Sequence, residues 1–188
     1  MRIVLCLIAL LCTAAAAQAQ NAPTLVVQVI DCAQVPVSTM RVAEHAVTQA
    51  FRSAGVRALW REGSERAMPL PGRHVTVVIL SKDMSQRKTM RDATPVNALG
   101  TAAPEARRAW VFLDRIQDVA ALQQASPGTL LGIVIAHEVA HAAAGITHSQ
   151  GGIMEPQLRL VGGPVRGFNA GEGQQLKHAL AGVSVDAR

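Results

Sequence analysis

The first half of the chain alternates apolar runs with one stretch of helical periodicity. Residues 24–31 (TLVVQVID) form a continuous run of β-favouring residues, which is typical of a buried strand. From 36 to 54 the apolar residues recur at helical spacing, and Gly55 stops the pattern. Further strands are predicted at 56–61 and 74–81. Because the first two strands flank a helix, we expect them to be parallel and joined by a right-handed crossover.

The middle of the chain carries weaker signals. Residues 81–92 are charged and irregular, which predicts a surface loop or a short helix. A clear strand is predicted at 109–113 (AWVFL), and 117–124 is helical. The segment 97–104 (NALGTAAP) has only a weak strand signal by composition, so a strand and an ordinary loop are both open there.

Two helices with clear end signals follow in the second half. The first has a natural N-cap in Ser126, a proline at its first position in Pro127, and a stop at Gly145. A glycine there can adopt the left-handed conformation and turn the chain back. Asn169 is predicted to cap a final helix that ends near Leu180.

The first of these helices contains the sequence HEVAH. Its two histidines, His137 and His141, are four residues apart, so they lie on one face of the helix and can reach one ion. Glu138 lies off that axis, yet close enough to hold a water beside the metal and act as general base. This pattern predicts a Zn²⁺ site.

The turn at Gly145 lets His148 approach the metal from outside the helix as a third ligand. Three neutral histidines and one water make an open tetrahedral site, which is the catalytic pattern. An alternative is that Glu155 or Glu172 completes the site. It is disfavoured for Glu155, which precedes a proline in a predicted turn.

The stretch HEVAHAAAGITHSQGGIMEP resembles the zinc motif and methionine turn of the metzincin peptidases, and within them most the matrixins. His148-Ser149 and the segment 152–156 (GIMEP) are similar to the matrixin segments that follow the motif. The chain departs from the pattern in one respect: its third histidine falls seven rather than six positions after the second. One more residue at the helix end can absorb this difference.

This resemblance implies the metzincin fold for residues 21–188. The class is α+β: a twisted, mostly parallel sheet of about five strands with an antiparallel edge strand, the zinc helix beneath it, a methionine turn and a C-terminal helix. Met154 would form an apolar floor beneath the metal, and 159–167 would line the far wall of the cleft. By the same resemblance, 97–104 would be the edge strand that pairs with an extended polypeptide substrate.

The activity implied is peptide-bond hydrolysis by a secreted zinc-dependent endopeptidase. Zinc would activate a water, and Glu138 would take its proton and pass it to the leaving amine. A different class of function is also open: a secreted zinc-binding module of the same fold that does not hydrolyse peptides. The intact Glu138 argues against that alternative.

The N-terminal residues 1–20 have the layout of a signal peptide, with an early arginine, an apolar run and a small-residue end. We therefore predict a single metzincin-like catalytic domain at 21–188, secreted or periplasmic, without a membrane span. Cys32 would be the one cysteine left after cleavage, and a buried thiol is expected there. His45, His74 and His178 show no ligand spacing.

The amino-acid composition bears on whether nucleic acid is a partner. The formal net charge is +5, but the lysines and arginines are scattered and tyrosine is absent. Neither a basic stripe nor an aromatic stacking platform for nucleic acid is therefore present, and no nucleic-acid partner is expected. The absence of tyrosine also means that zinc and backbone amides must stabilise the oxyanion. The sequence does not predict an oligomeric state.

Overall fold

A computed structural model describes residues 22–63, 72–157 and 167–181. In chain order its elements are β1 (Thr24–Asp31), α1 (Val37–Ser53), β2 (Arg57–Glu62), β3 (Arg73–Leu80), α2 (Lys82–Asp92), β4 (Gly100–Ala103), β5 (Arg108–Phe112), α3 (Leu113–Leu122), α4 (Pro127–Ala144) and α5 (Ala170–Ala181). The charged segment 81–92, for which loop and helix were both open, is helical as α2. None of the helices in the described residues is long and apolar enough to cross a membrane.

The strands form one sheet in the order β2-β1-β3-β5-β4. β1 pairs in parallel with β2 and β3, and β3 pairs in parallel with β5. β4 runs antiparallel to β5, with Gly100 opposite Val111 and Ala102 opposite Ala109. The predicted mostly parallel sheet is confirmed. Residues 97–104, where strand and loop were both open, contain the antiparallel edge strand.

The core lies where α1 and α4 pack on each other and on the sheet. Two glycines of α4 allow this close approach. A Cβ on Gly132 would lie 2.6 Å from the carbonyl oxygen of Ala43, and one on Gly128 would lie 2.7 Å from Cβ of Val42. Because the distance between helix axes depends on the side chains at the contact, these glycines bring α4 against α1. The packing buries all of α4 from Leu130 to Ala140.

Arg73, at the start of β3, joins the ends of two helices. Its guanidinium donates one hydrogen bond to the carbonyl oxygen of Ala143 at 2.9 Å and another to that of Ala179 at 3.2 Å. These carbonyls belong to the last turns of α4 and α5, where the helix leaves acceptors unsatisfied and the dipole favours a cation. Arg73 therefore fixes the C-terminal end of α4, next to the turn that leads to His148.

Candidate metal centre

The ends of α4 are as its sequence predicts. The hydroxyl oxygen of Ser126 accepts a hydrogen bond from the amide of Thr129 at 3.3 Å, and Pro127 occupies the first turn. The helix continues to Ala144, and Gly145 ends it in the left-handed conformation at φ 62°. The residue added between His141 and Gly145 is therefore one more residue of helix.

The turn after Gly145 brings His148 back to the two helical histidines. The Nε2 atoms of His137 and His141 lie 3.0 Å apart, and Nε2 of His148 lies 3.2 Å from the first and 3.3 Å from the second. In tetrahedral coordination with zinc–nitrogen bonds of about 2.0–2.1 Å, neighbouring ligand nitrogens are roughly 3.3 Å apart. The triangle of three nitrogens thus has the dimensions of three corners of a zinc site.

Hydrogen bonds on the far side of two rings orient their lone pairs. Nδ1 of His137 lies 2.8 Å from the carbonyl oxygen of Ile153, and Nδ1 of His141 contacts the carbonyl oxygen of Ile146. A carbonyl can only accept, so each Nδ1 carries the proton and each Nε2 presents a lone pair to the centre.

Burial also keeps these rings neutral. It lowers the pKa of His137 to about 4, and it lowers the pKa of His141 from its ordinary value. Converging neutral nitrogens repel one another unless a cation lies between them. The donor set therefore fits a zinc ion.

Glu138 is almost completely buried beside this centre, with 7% of its surface exposed. The edge strand lies directly over it: a Cβ on Gly100 would be 2.6 Å from Cγ of Glu138 and 2.8 Å from its Oε1. Burial raises the pKa of Glu138 to about 8 in the absence of metal, because the charged form loses its hydration. Such a perturbed carboxyl in a cleft is typical of a functional site.

The raised pKa of Glu138 predicts a pH-dependent stability difference in metal-free protein. The protonated carboxyl stabilises the folded state below the unfolded pKa of 4.5, and this contribution is lost as pH rises towards about 8. With chelator present, we expect the Glu138→Gln variant to be more stable than the wild type at pH 8, and the difference to vanish near pH 4.5. Urea unfolding across this pH range measures it. A difference that does not change with pH would contradict the assigned pKa.

The histidines and Glu138 open onto a cleft of about 620 Å³. Its opposite side consists of Pro95, residues 97–102 and Pro104, which are the edge strand β4 and the segments on either side of it. The cleft is also lined by Val119 of α3, by Gln123 just after that helix, by Val134 of α4 and by Glu155. The cleft thus extends from the three-histidine centre to the edge of the described sheet.

The two glutamates considered as alternative ligands lie outside the histidine cluster. Among the described residues, the cluster able to hold a metal consists of His137, His141 and His148. Glu155 accepts a hydrogen bond from the amide of Gly151 at 2.8 Å, within the turn. Glu172 accepts hydrogen bonds from the hydroxyl of Ser149 and from the amide of Asn169. The structure therefore does not bring either carboxylate into the histidine cluster.

Glu172 instead anchors the loop that carries the third histidine, a role that the sequence reasoning missed. Asn169 and Glu172 form a reciprocal capping box at the start of α5, in which the amide of Glu172 donates to Oδ1 of Asn169 at 2.9 Å. Ser149, which immediately follows His148, donates to the same carboxylate, and Gly152 packs so closely that a Cβ there would overlap it. The spacing N-x-x-E at the start of the final helix is the signal that could have revealed the cap, but not its partner Ser149.

Replacing Glu172 with glutamine should weaken metal binding. The amide removes the negative charge and one acceptor oxygen, so the loop after His148 loses part of its anchor, and we expect zinc affinity to fall about tenfold or more. Competition with a calibrated chelator measures this. Gln175→Ala, at an exposed position of the same helix, is the control and should bind zinc like the wild type. Unchanged affinity in Glu172→Gln would show that the anchor is dispensable.

Three further predictions concern Met154, residues 159–167 and Cys32. Met154 is completely buried, and its carbonyl oxygen accepts a hydrogen bond from the amide of Ser149 at 3.0 Å. The predicted cleft wall at 159–167 lies, apart from Gly167, outside the described residues. The expectation of a buried thiol is wrong, because Cys32 is exposed just beyond the end of β1.

Comparisons with known proteins show a similarity at the level of the fold. No protein-family model matches the chain, and no curated protein matches it in sequence. The crystal structure of an archaemetzincin from Methanopyrus kandleri is similar, with a TM-score of 0.52 and 12% identity over 85% of this chain and 96% of that one. A zinc-dependent peptidase from Methanocorpusculum labreanum (strain Z) has a TM-score of 0.43 and 14% identity over 79% and 92%.

The likeness to archaemetzincin shows that this chain has a metzincin-like fold, as its sequence predicts. The narrower resemblance to matrixins stays a prediction, because neither of these two structures is described as a matrixin.

Proposed function

We propose that this chain is a zinc-dependent peptidase of the metzincin type. The observation that carries the proposal is the triangle of Nε2 atoms, 3.0–3.3 Å on each side, beside a buried glutamate in one cleft. The likeness in fold to a structure called an archaemetzincin supports it.

His137, His141 and His148 would hold the ion through Nε2. When bound, zinc lowers the pKa of a coordinated water towards neutrality and polarises a carbonyl group. The protein's part is to keep the rings of His137 and His141 neutral and to aim all three rings at one point. The carbonyls of Ile153 and Ile146 hold the rings of the two helical histidines, and the anchor on Glu172 holds the loop of the third.

Glu138 would serve as general base. Its pKa falls when a cation occupies the neighbouring histidines, because an opposite charge favours the carboxylate. The ionised carboxylate then accepts a proton from the attacking water and returns it to the nitrogen of the leaving amine. Gly100 packs against the carboxylate and so limits where Glu138 can move.

The substrate would be a polypeptide in an extended conformation. β4 is the last strand of the sheet, so its outer side has backbone groups with which a peptide can pair. A peptide bound there lies across the cleft that contains Glu138. We therefore propose that the protein cleaves internal peptide bonds, as an endopeptidase does.

We also propose that residues 1–20 act as a signal peptide and direct export of the protein to the periplasm or the medium.

The test is hydrolysis of a mixed peptide library by the zinc-loaded protein, with and without chelator, read by mass spectrometry. We expect cleavage at internal bonds that stops with chelator and returns when zinc is added. A zinc-loaded protein that cleaves no peptide would refute the peptidase and favour a zinc-binding module.

A further inference from the structure

We propose that Arg115 positions the substrate-binding wall of the cleft. This inference rests on the proposed peptidase function and adds a residue to it that lies outside the metal centre. Arg115 is the third residue of α3, and its side chain holds the segment that leads into the edge strand.

The guanidinium of Arg115 links that segment to α2 and to the ring of Phe112. Its Nη1 donates hydrogen bonds to the carbonyl oxygen of Pro95 at 3.0 Å and to that of Ala98 at 2.7 Å. Its Nη2 donates to the hydroxyl of Thr89 on α2, and its Cζ lies 4.3 Å from the centre of the Phe112 ring. Hydrogen bonds from a charged donor are stronger than neutral ones, and the planar fork loses less entropy in making several of them.

Backbone hydrogen bonds also hold parts of the segment 93–99: the amide of Thr94 donates to the carbonyl oxygen of Thr89 at 3.2 Å. The amide of Ala98 donates to the carbonyl oxygen of Pro95 at 3.0 Å within the turn, and the carbonyl oxygen of Leu99 accepts from the amide of Phe112 at 2.9 Å. The side of this segment that faces the cleft is formed by Pro95, Asn97, Ala98 and Leu99. Its conformation therefore determines the shape of the wall, and Arg115 makes two of the bonds that set that conformation.

The same segment determines how the edge strand meets Glu138. Gly100 directly follows Leu99, and a Cβ at Gly100 would lie 2.6 Å from Cγ of the glutamate. With so little space, a small shift of the segment changes both the surface offered to a peptide and the room above Glu138. The pairing of β4 with β5 fixes residues 100–103, and Arg115 binds the carbonyl oxygens of Pro95 and Ala98 just before them.

The experiment compares Arg115→Gln and Arg115→Lys with Arg87→Gln, which changes an exposed arginine of α2 and serves as the control. The substrate is a fluorogenic peptide made from a sequence that the wild-type protein cleaves in the library. We expect Arg115→Gln to raise KM about tenfold, on the scale of one charge-assisted hydrogen bond lost, with kcat changed less than about threefold. Zinc content should stay at wild-type level. The KM of Arg115→Lys should lie between those of the wild type and Arg115→Gln, because an ammonium group reaches fewer of the acceptors than a guanidinium does.

Hydrogen–deuterium exchange of the zinc-loaded proteins gives a readout that needs no turnover. In Arg115→Gln we expect faster exchange in peptides covering 94–103 and unchanged exchange in those covering α4. If the wild type cleaves no peptide, the proposed function fails while the exchange data still test the anchor. Should the glutamine variant not fold, the lysine variant is measured in the same way.

Three results would overturn the inference. Unchanged exchange at 94–103 would mean that Arg115 does not hold the segment. Faster exchange with an unchanged KM would mean that this wall does not contact the substrate. A parallel loss of zinc and kcat would mean that Arg115 supports the fold as a whole.

Discussion

Glu138→Gln is expected to bind zinc like the wild-type protein and to hydrolyse peptides about 10²–10⁴-fold more slowly. The amide has nearly the same shape as the carboxylate, so it fits beneath Gly100 without displacing the edge strand. It cannot take a proton from water at neutral pH, and the general base is lost. Steady-state kinetics on a cleaved peptide, together with zinc analysis of the same sample, measure both halves of this expectation.

The matched control for this variant is Glu105→Gln, which makes the same chemical change at an exposed position in the turn between β4 and β5. It should retain wild-type turnover. If Glu138→Gln were as active as the control, Glu138 would not be the base. Loss of zinc in Glu138→Gln would instead indicate that the glutamate is needed to hold the ion.

His137→Ala and His141→Ala are expected to lose stoichiometric zinc, and His148→Ala to bind it far more weakly. Each substitution removes one of three nitrogens, and two histidines cannot fix a tetrahedral ion without recruiting water. Deeper burial of the two helical rings makes their loss more damaging than that of the exposed third ring. Elemental analysis after dialysis against a weak chelator measures the effect.

His178→Ala on α5 provides the control, because this exposed histidine lies outside the cluster. It should keep full zinc, and Glu155→Ala should do the same. The competing model, in which a glutamate completes the site, expects the opposite order: His148→Ala would retain zinc and Glu155→Ala would release it.

The zinc helix could be predicted from sequence in detail because its signals are local. The cap at Ser126, the proline after it and the left-handed Gly145 each act within a few residues, and the structure has all three. The longer interval before His148 was likewise resolved by a local rule, since one more helical residue at Ala144 absorbs it. The parallel strands were predictable because continuous apolar runs flanked a helix.

Contacts between distant segments could not be predicted in this way. Glu172 accepts from Ser149 across 23 positions, and Arg115 reaches Pro95 across 20. No local sequence pattern predicts the partner of Glu172 or of Arg115, because these bonds depend on how the elements pack. The edge strand was uncertain for a related reason: Gly100 is unfavourable in a strand by composition, and its place depends on its pairing with Val111 and on the close approach of Glu138.

The central claim is that three histidines, and no carboxylate, hold one zinc ion. X-ray absorption at the zinc edge of the purified, zinc-loaded protein tests it most directly, with His148→Ala measured beside the wild type. We expect the wild type to show three imidazole nitrogens and one further light ligand at about 2.0–2.1 Å, and the variant to show two imidazoles with lower occupancy. An unchanged imidazole count in His148→Ala, or a carboxylate shell in the wild type, would contradict it.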